Sequence, residues 1–281
     1  MKNKIILGTA NFSNKYGLIN KQKIKQNSLL KCANKFGIKF LDTSPLYGKA
    51  EKKIGKSKIK FQIITKIPKI TNKWTSPRSW VLKSISSTQK NVKQKILYGA
   101  LIHHVQDLKK KRGKILYNTL QDLKKDKKIK KIGISIYSLV DLKWILRKFD
   151  FDIIQLPFNV FNRELINGHW IEKLKRRKIE IHCRSIFLQG LLLTKKKLPR
   201  RLLGLEKKIH KFSNWTKARE ISTLQASLNF VLKFKKIDKI IIGADDCTQL
   251  KEIMKISKYK SMNIPKFFEI KKKRYINPTL W

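Results

Sequence analysis

The chain lacks any uninterrupted apolar segment of the length that a membrane-spanning helix requires. Such a helix needs about 18 to 20 consecutive apolar residues, and no hydrophobic run in these 281 residues approaches that length. The chain reaches its first predicted strand by Ile5 without the apolar core of a secretory signal. We therefore expect a cytoplasmic protein without a membrane partner.

Cysteine is also scarce. Cys32, Cys183 and Cys247 are the only three, they are far apart, and none belongs to a C-x-x-C pair. This spacing differs from that of zinc sites and of disulfide-rich secreted domains. The sequence thus predicts no metal site and no disulfide framework, and it favours a reducing compartment.

Acidic residues are few, so the protein is strongly basic. The 67 Lys and Arg residues exceed the 18 Asp and Glu residues by 49 charges, an excess typical of proteins that bind nucleic acids. Only 11 of the basic residues are Arg, however, whereas 56 are Lys and are spread along the whole chain. Recognition of phosphates and base edges favours the guanidinium group. Lys, Ile and Asn are encoded by A- and T-rich codons, so we attribute most of the charge to genome composition and expect no specific nucleic-acid partner.

Short β-type runs alternate with helical patterns from one end of the chain to the other. Eight predicted strands, each followed by a helical segment, indicate a (β/α)8 barrel, a fold that about 250 residues form as one domain. No linker or low-complexity segment interrupts the chain, and we predict a single domain over residues 1–281. The predicted strands are 4–9, 39–42, 61–66, 96–103, 131–135, 151–156, 179–185 and 240–243. Seven of the helical segments have predicted bounds, which are 28–36, 80–92, 113–125, 139–149, 170–177, 215–233 and 248–256.

Polar side chains of complementary chemistry follow three successive strands. Asp42, Lys66 and His103 close the second, third and fourth predicted strands, and Tyr47 comes five residues after Asp42. The carboxyl ends of barrel strands meet at one face, where barrel enzymes place their chemistry. A phenol is a weak acid, a nearby ammonium makes it a better proton donor, and a carboxylate can place that ammonium. Each residue alone has an ordinary structural explanation, but the four in this order favour proton donation to a carbonyl that is being reduced.

This set resembles the catalytic tetrad of the aldo-keto reductases, and the resemblance extends over nearly the whole chain. Leu7-Gly8-Thr9-Ala10 is similar to the first-strand motif of that family, and Tyr47-Gly48-Lys49-Ala50-Glu51 is similar to its tyrosine loop. The short bacterial members, which begin directly at the first barrel strand, look most similar. The resemblance implies an NAD(P)-dependent oxidoreductase that reduces an aldehyde or ketone, with a sugar-like or small aldehyde as the favoured substrate.

The resemblance also implies a role for each of the four residues. Tyr47 is the implied general acid, and Lys66 is the implied modulator of its pKa. Asp42 holds Lys66, and His103 orients the carbonyl. His104 follows where many relatives carry an aromatic residue, and it either shapes the substrate pocket or packs.

Cofactor binding is assigned to a second group of residues. Ser135 and Gln155 offer a hydroxyl and a primary amide, which suit a carboxamide such as that of nicotinamide. Gly190 and Gly243 permit close approach of the backbone to a phosphate. The set that the resemblance implies is Gly8, Thr9, Ser135, Gln155, Arg184, Ser185, Gln189, Gly190, Leu191, Gly243, Asp245, Gln249 and Glu252.

Three features depart from the pattern of the family. Ile136 replaces an asparagine that helps to bind the carboxamide, and Arg184 stands where an aromatic ring commonly stacks on the nicotinamide. NADP-preferring relatives have a lysine and an arginine at the places of Gly243 and Gln249, whereas this chain is neutral there and adds the negative charges of Asp245 and Asp246 nearby. The choice between NADPH and NADH as cofactor therefore stays open at this point.

The C-terminal segment, 264–281, ends in Trp281. A large terminal aromatic is more typical of a packed tail than of a disordered one. In the resembling family this segment folds over the barrel mouth, and we expect the same here.

Two other classes of function stay open. One is a catalytically idle barrel that binds a cofactor or a polyanion, which the complete set of four residues disfavours. The other is a basic nucleic-acid-binding protein, which predicts Arg clusters and interleaved aromatics that the sequence does not show. The oligomeric state is not predicted.

Overall fold

Eight parallel strands form a closed barrel in the computed structural model, which describes residues 2–13, 25–71, 76–194, 196–256 and 262–281. Each strand pairs with the next along the chain, and the last pairs with the first. The predicted (β/α)8 fold is therefore confirmed. The strands are β1 (Ile5–Gly8), β2 (Phe40–Asp42), β3 (Gln62–Ile67), β4 (Leu97–Ile102), β5 (Ile129–Ser135), β6 (Ile153–Pro157), β7 (Glu180–Arg184) and β8 (Lys239–Ile242).

Helices follow the strands and cover the outside of the barrel. They are α1 (Gln26–Lys35), α2 (Ala50–Lys56), α3 (Pro77–Val92), α4 (Val105–Lys109), α5 (Gly113–Lys125), α6 (Leu139–Lys148), α7 (Trp170–Arg176), α8 (Leu203–Lys217), α9 (Thr223–Leu232), α10 (Cys247–Lys255) and α11 (Lys273–Ile276). None of the helices in these described ranges is both long enough and apolar enough to span a bilayer.

The strands are rich in Ile and Leu because both of their faces are buried, one toward the helices and one inside the barrel. Ile6, Ile64, Leu101 and Ile153 form a small separate cluster of fully buried side chains. Gly133 borders this cluster, since a Cβ atom there would lie 2.3 Å from Leu101 Cδ2. The side chains that fill the barrel therefore leave no room for a methyl group at this position of β5.

Side chains of β3 point alternately into the barrel and outward, and this alternation places a polar residue directly above the apolar cluster. Ile64 and Lys66 are two residues apart and thus share the face that points into the barrel, whereas Thr65 points outward. Lys66 therefore lies directly above the apolar cluster, with only 2% of its surface exposed. Because Ile64 and Lys66 are two residues apart on β3, the strand that contributes to the core also places the Lys66 ammonium group at the carboxyl end of the barrel.

The predicted single helix over 215–233 is wrong. Two helices, α8 and α9, occupy this region, and between them Glu220 adopts a left-handed backbone conformation with φ of 54°. The Ser222 hydroxyl accepts a hydrogen bond of 3.0 Å from the Gln225 backbone N–H and so caps α9. Ser222 followed three residues later by Gln225 is the capping-box pattern, a sequence signal that the apolar periodicity obscured.

Two of the three cysteines are paired, which the sequence did not predict. Cys32 of α1 and Cys247 at the start of α10 form a disulfide, with their Cα atoms 5.7 Å apart. The two helices are neighbours because β1 and β8 close the barrel. Cys183 of β7 stays free and is buried. The separation of 215 residues hid this pairing from the sequence.

The C-terminal residues 262–281 pack mainly beside α8 and the chain that follows β6. The ring of Phe268 lies 5.1 Å from that of Phe212. The guanidinium of Arg163 donates hydrogen bonds to the backbone carbonyls of Ile264 and Pro265, at 3.1 and 2.9 Å. These contacts anchor the segment to the side of the barrel.

Opening the Cys32–Cys247 disulfide is expected to lower the free energy of unfolding by about 2–5 kcal/mol, because the bond closes a long loop. Urea unfolding with and without dithiothreitol measures the change. In the Cys32→Ala/Cys247→Ala double variant the reductant should have no effect. Equal stability of the reduced and untreated native protein, with free thiols at both positions in peptide maps, would contradict the pairing.

Candidate active site

A cavity of about 1140 Å³ opens at the carboxyl ends of the strands. Its walls come from the ends of several strands and from the segments that follow them, as is typical of barrels that carry out chemistry. The four candidate catalytic residues line it. They are Asp42, Tyr47, Lys66 and His103.

A buried ion pair lies at the floor of the cavity. Lys66 Nζ is 2.5 Å from Asp42 Oδ1 and donates a second hydrogen bond of 3.0 Å to the backbone carbonyl of Thr43. An ammonium out of water is costly unless it is paired, and removing one partner of such a pair typically costs about 3–5 kcal/mol. The carboxylate of β2 therefore fixes the position of the ammonium of β3.

Gln155 completes the hydrogen bonding of the Asp42 carboxylate. Its side-chain Nε2 donates a hydrogen bond of 2.8 Å to Asp42 Oδ2, and its Oε1 accepts one of 3.4 Å from the hydroxyl of Ser135. Both oxygens of the carboxylate are thus occupied, one by Lys66 and one by Gln155. The sequence placed Gln155 on the cofactor side alone and did not predict this contact, which crosses the barrel from β6 to β2.

The phenol of Tyr47 lies beside the ammonium, with Lys66 Nζ 5.1 Å from the centre of the ring. Burial raises the pKa of Tyr47 above its ordinary value, and the nearby carboxylate of Asp42 adds to the rise. The guanidinium of Arg184 opposes it. In this state Tyr47 is a neutral phenol that carries a proton it can donate.

His103 lies one residue beyond β4 and faces the same cavity. Burial, together with the positive charge of Lys66, lowers the pKa of His103 to about 3. The imidazole is therefore neutral near pH 7, with one nitrogen that donates and one that accepts. Its Nδ1 atom is buried without a hydrogen-bond partner among the described residues.

His104 also lines the cavity, so it contributes to the pocket wall. Its ring lies 5.0 Å from that of His103, and burial lowers its pKa.

The loop that carries Tyr47 is anchored by a buried carboxylate. Glu51, in the first turn of α2, accepts hydrogen bonds from the hydroxyls of Thr65 and Thr88, at 3.1 and 2.9 Å, and from the amide of Asn91, at 3.3 Å. Thr65 directly precedes Lys66 on β3. Glu51 thus ties the helix after the tyrosine loop to the strand that carries the ammonium.

Arg184 occupies the wall beside the carboxamide-binding candidates. Its Nη2 donates a hydrogen bond of 3.0 Å to the backbone carbonyl of Ile136, the residue after Ser135. Its Cζ atom lies 3.9 Å from the centre of the Tyr137 ring, a cation–π arrangement that fixes the plane of the guanidinium. The contact between Tyr137 and Arg184 was not predicted from the sequence.

The chain after β7 has an unusual backbone. Ser185, Leu188, Gln189 and Gly190 have φ angles of 56°, 49°, 55° and 87°, values that favour glycine and that side chains rarely adopt. Leu191 is fully buried in the core and does not line the cavity. Its predicted place in the cofactor site is therefore not found, and it packs beneath the loop instead.

The chain after β8 and the start of α10 form another wall. The Asp245 carboxylate accepts hydrogen bonds from Asn11 Nδ2, at 2.9 Å, and from Gln249 Nε2, at 3.4 Å. The Gln249 side chain accepts one of 2.9 Å from the Asp245 backbone N–H. Asn11 also lines the cavity and was missed by the sequence analysis, because it lies in a short turn beyond the first-strand motif.

The structure gathers nearly all of the predicted cofactor residues at this cavity. Thr9, like Leu191, lies outside it: Thr9 is fully buried, and its hydroxyl donates a hydrogen bond of 3.1 Å to the Asp42 backbone carbonyl. Within the described ranges no three His, Cys, Asp or Glu side chains lie close enough to hold a metal ion. The predicted cofactor residues that line the cavity are Gly8, Ser135, Gln155, Arg184, Ser185, Gln189, Gly190, Gly243, Asp245, Gln249 and Glu252.

Several solved structures have the same fold. An aldo-keto reductase from Bacillus halodurans, in its holo form, superposes with a TM-score of 0.73 at 15% identity, over 92% of this chain and 88% of that one. A glycerol dehydrogenase from Gluconobacter oxydans gives 0.69 at 17% identity, over 92% and 87%. A putative aldo-keto reductase from Pseudomonas aeruginosa gives 0.65 at 18% identity, over 90% and 89%.

Comparison with curated proteins gives no match. The model of the aldo/keto reductase family, by contrast, matches residues 4–273, which is nearly the whole chain. That match agrees with the resemblance inferred from the sequence motifs and with the closed barrel. The chain belongs to the aldo-keto reductase family of oxidoreductases.

Proposed function

We propose that this protein reduces an aldehyde or ketone to an alcohol with NADH or NADPH as the hydride source. The observation that carries the proposal is a neutral Tyr47 phenol beside the buried Lys66–Asp42 pair, with a neutral imidazole at His103 facing the same cavity. Tyr47 can donate a proton, the Lys66 ammonium can stabilise the tyrosinate that remains, and His103 can donate a hydrogen bond to the carbonyl oxygen of a substrate.

The donor set of the cavity fits a nicotinamide cofactor. The hydroxyl of Ser135 and the amide of Gln155 are adjacent at 3.4 Å, and both can hydrogen-bond to a carboxamide. The left-handed backbone at Gly190 and the neighbouring residues turns the chain at the cavity wall, where backbone N–H groups can meet phosphate oxygens. When bound, the reduced cofactor supplies the hydride.

The four residues then act on the oxygen of the carbonyl. His103 donates a hydrogen bond that orients the carbonyl, and Tyr47 donates its proton to the oxygen as negative charge develops there. Lys66 stabilises the resulting tyrosinate, and Asp42 and Gln155 keep Lys66 in position. General acid catalysis of this kind contributes typically 10²–10⁴-fold in rate.

A small, polar carbonyl compound such as a sugar-like aldehyde suits the cavity. Its rim carries polar side chains, among them Gln106 and Thr279. Thr279 belongs to the C-terminal segment, which we propose forms part of the mouth of a single domain that spans residues 1–281. A reaction in the cytoplasm, where reduced nicotinamide cofactors are maintained, is part of this proposal, although a disulfide such as Cys32–Cys247 is rare in that compartment.

Replacement of Tyr47 by Phe should abolish carbonyl reduction while leaving cofactor binding nearly intact, because the ring stays and only the proton donor is lost. Steady-state assays across a panel of aldehydes and ketosugars measure the rate, and fluorescence titration measures the binding. Tyr117→Phe, a hydroxyl removed far from the cavity, is the matched control. A Tyr47→Phe enzyme with the native kcat on a good substrate would remove Tyr47 from the mechanism.

Replacement of Lys66 by Met should lower kcat and shift the pH–rate profile of reduction to higher pH. Without the ammonium the tyrosinate loses its stabilising charge, so the pKa of the acid rises and its proton is harder to donate. Asp42→Asn weakens the ion pair that positions the Lys66 ammonium, and Gln155→Leu removes the hydrogen bond that positions Asp42. Both variants should act in the same direction as Lys66→Met, with smaller effects. Lys52→Met, an exposed lysine on α2, is the control, and circular dichroism confirms folding. Unchanged profiles in all three site variants would show that these residues do not tune the acid.

NADH should be used at least comparably to NADPH at about 0.15 M salt. The wall that includes Gly243 and Gln249 carries the carboxylates of Asp245 and Glu252, and the Gln249 side chain is held by Asp245. A missing charge-assisted contact to the 2′-phosphate costs about 10- to 100-fold in affinity.

Competing titrations of the two cofactors at low and high salt test this preference, because general attraction by surface lysines is screened by salt. Gln249→Arg should improve NADPH binding with little effect on NADH. A native preference for NADPH above about tenfold that persists in high salt would mean that another group clamps the phosphate.

A further inference from the structure

We propose that Arg184 makes the cofactor site selective for the redox state of the nicotinamide, so that the reduced form binds more tightly than the oxidised form. The inference rests on the proposed function and adds a property that the four catalytic residues do not have.

Neighbouring groups hold the guanidinium of Arg184 in place. Its Nη2 donates a hydrogen bond of 3.0 Å to the backbone carbonyl of Ile136, and its Cζ atom lies 3.9 Å from the centre of the Tyr137 ring. The Ser185 hydroxyl lies 3.5 Å from its other terminal nitrogen. Arg184 is therefore held from two sides and cannot turn away from the cavity wall without losing these contacts.

No carboxylate of the described residues neutralises the charge of this group. Within the described ranges the contacts of the guanidinium are a carbonyl, a hydroxyl and an aromatic ring, and no carboxylate forms an ion pair with it. Its influence extends into the reaction centre, because it opposes the rise in the pKa of Tyr47 and helps to lower that of His103. An uncompensated positive charge therefore faces the site.

The carboxamide candidates place the nicotinamide near this charge. Ser135 and Gln155 are the groups that suit a carboxamide, and the carboxamide is joined directly to the pyridine ring. Ile136, whose carbonyl holds Arg184, is the residue after Ser135. A ring anchored at Ser135 and Gln155 is thus within range of the guanidinium charge.

The two redox forms differ in one charge at that ring. The oxidised nicotinamide is a cation and the reduced one is neutral, whereas the rest of the dinucleotide is the same. At the effective dielectric constant of about 20 that applies near a protein surface, two like charges roughly 10 Å apart repel by an amount that corresponds to about tenfold in affinity. Arg184 therefore penalises the oxidised form alone.

Binding titrations of NAD+ and NADH to the native protein and to Arg184→Gln test the inference directly. The ratio of the two Kd values should fall by about tenfold in Arg184→Gln, mainly through tighter binding of NAD+. Arg184→Lys, which keeps the charge, should retain most of the selectivity. Arg78→Gln removes an exposed charge paired with Asp122 and should leave the ratio unchanged. ADP-ribose, which lacks the nicotinamide, should bind the native protein and Arg184→Gln equally.

The outcomes separate this inference from the proposed function. Loss of affinity for NAD+, NADH and ADP-ribose by one common factor would assign Arg184 a structural role and overturn the inference. A ratio that does not change would overturn it as well, while leaving the proposed reductase intact. Failure of the native protein to bind either redox form of NAD or NADP would overturn both.

Discussion

The ion pair between Lys66 and Asp42 is the interaction on which the organisation of this site depends. It lies above a layer of branched apolar side chains and is almost removed from solvent. A charge in that environment must be matched by fixed partners. The partners come from three strands: Asp42 and the neighbouring Thr43 carbonyl at β2, Lys66 from β3 and Gln155 from β6. Because the barrel is closed, these strands cannot drift apart, and the fold itself maintains the geometry.

Contacts among α2, α3 and β3, outside the barrel, help to hold Tyr47 and Lys66 in position. Glu51 binds hydroxyls on β3 and α3 with its buried carboxylate, so the helix that follows the tyrosine loop is fixed to the strand that carries Lys66. Burial raises the pKa of Glu51, and its three side-chain hydrogen bonds oppose that rise. The phenol and the ammonium therefore keep their separation through contacts that never reach the cavity.

The sequence predicted the features that depend on local periodicity and on chain order. Apolar β-type runs that alternate with helical segments predicted the barrel. The polar residues at the ends of β2, β3 and β4 predicted the site, because the carboxyl ends of all parallel strands in a barrel lie at the same face. Contacts between distant segments could not be predicted in this way. Gln155 meets Asp42 across the barrel, and Cys32 meets Cys247 across a separation of 215 residues.

Other differences came from backbone detail that periodicity does not encode. The turn at Glu220, which divides α8 from α9, is set by one left-handed residue and one serine cap, while the apolar pattern continues through it. Leu191 lies in a motif shared with the family, yet its side chain points into the core, so a motif match did not reveal which of its residues face the cavity.

The Cys32–Cys247 bond has a topological consequence. A (β/α)8 barrel is a ring made from a linear chain, and its one seam is the pairing of β1 with β8. The disulfide joins the helices that flank this seam, so the ring is closed covalently as well as by hydrogen bonds. In an oxidised chain the segments that follow these two strands stay joined, so β1 and β8 cannot move far apart even when the hydrogen bonds between them open.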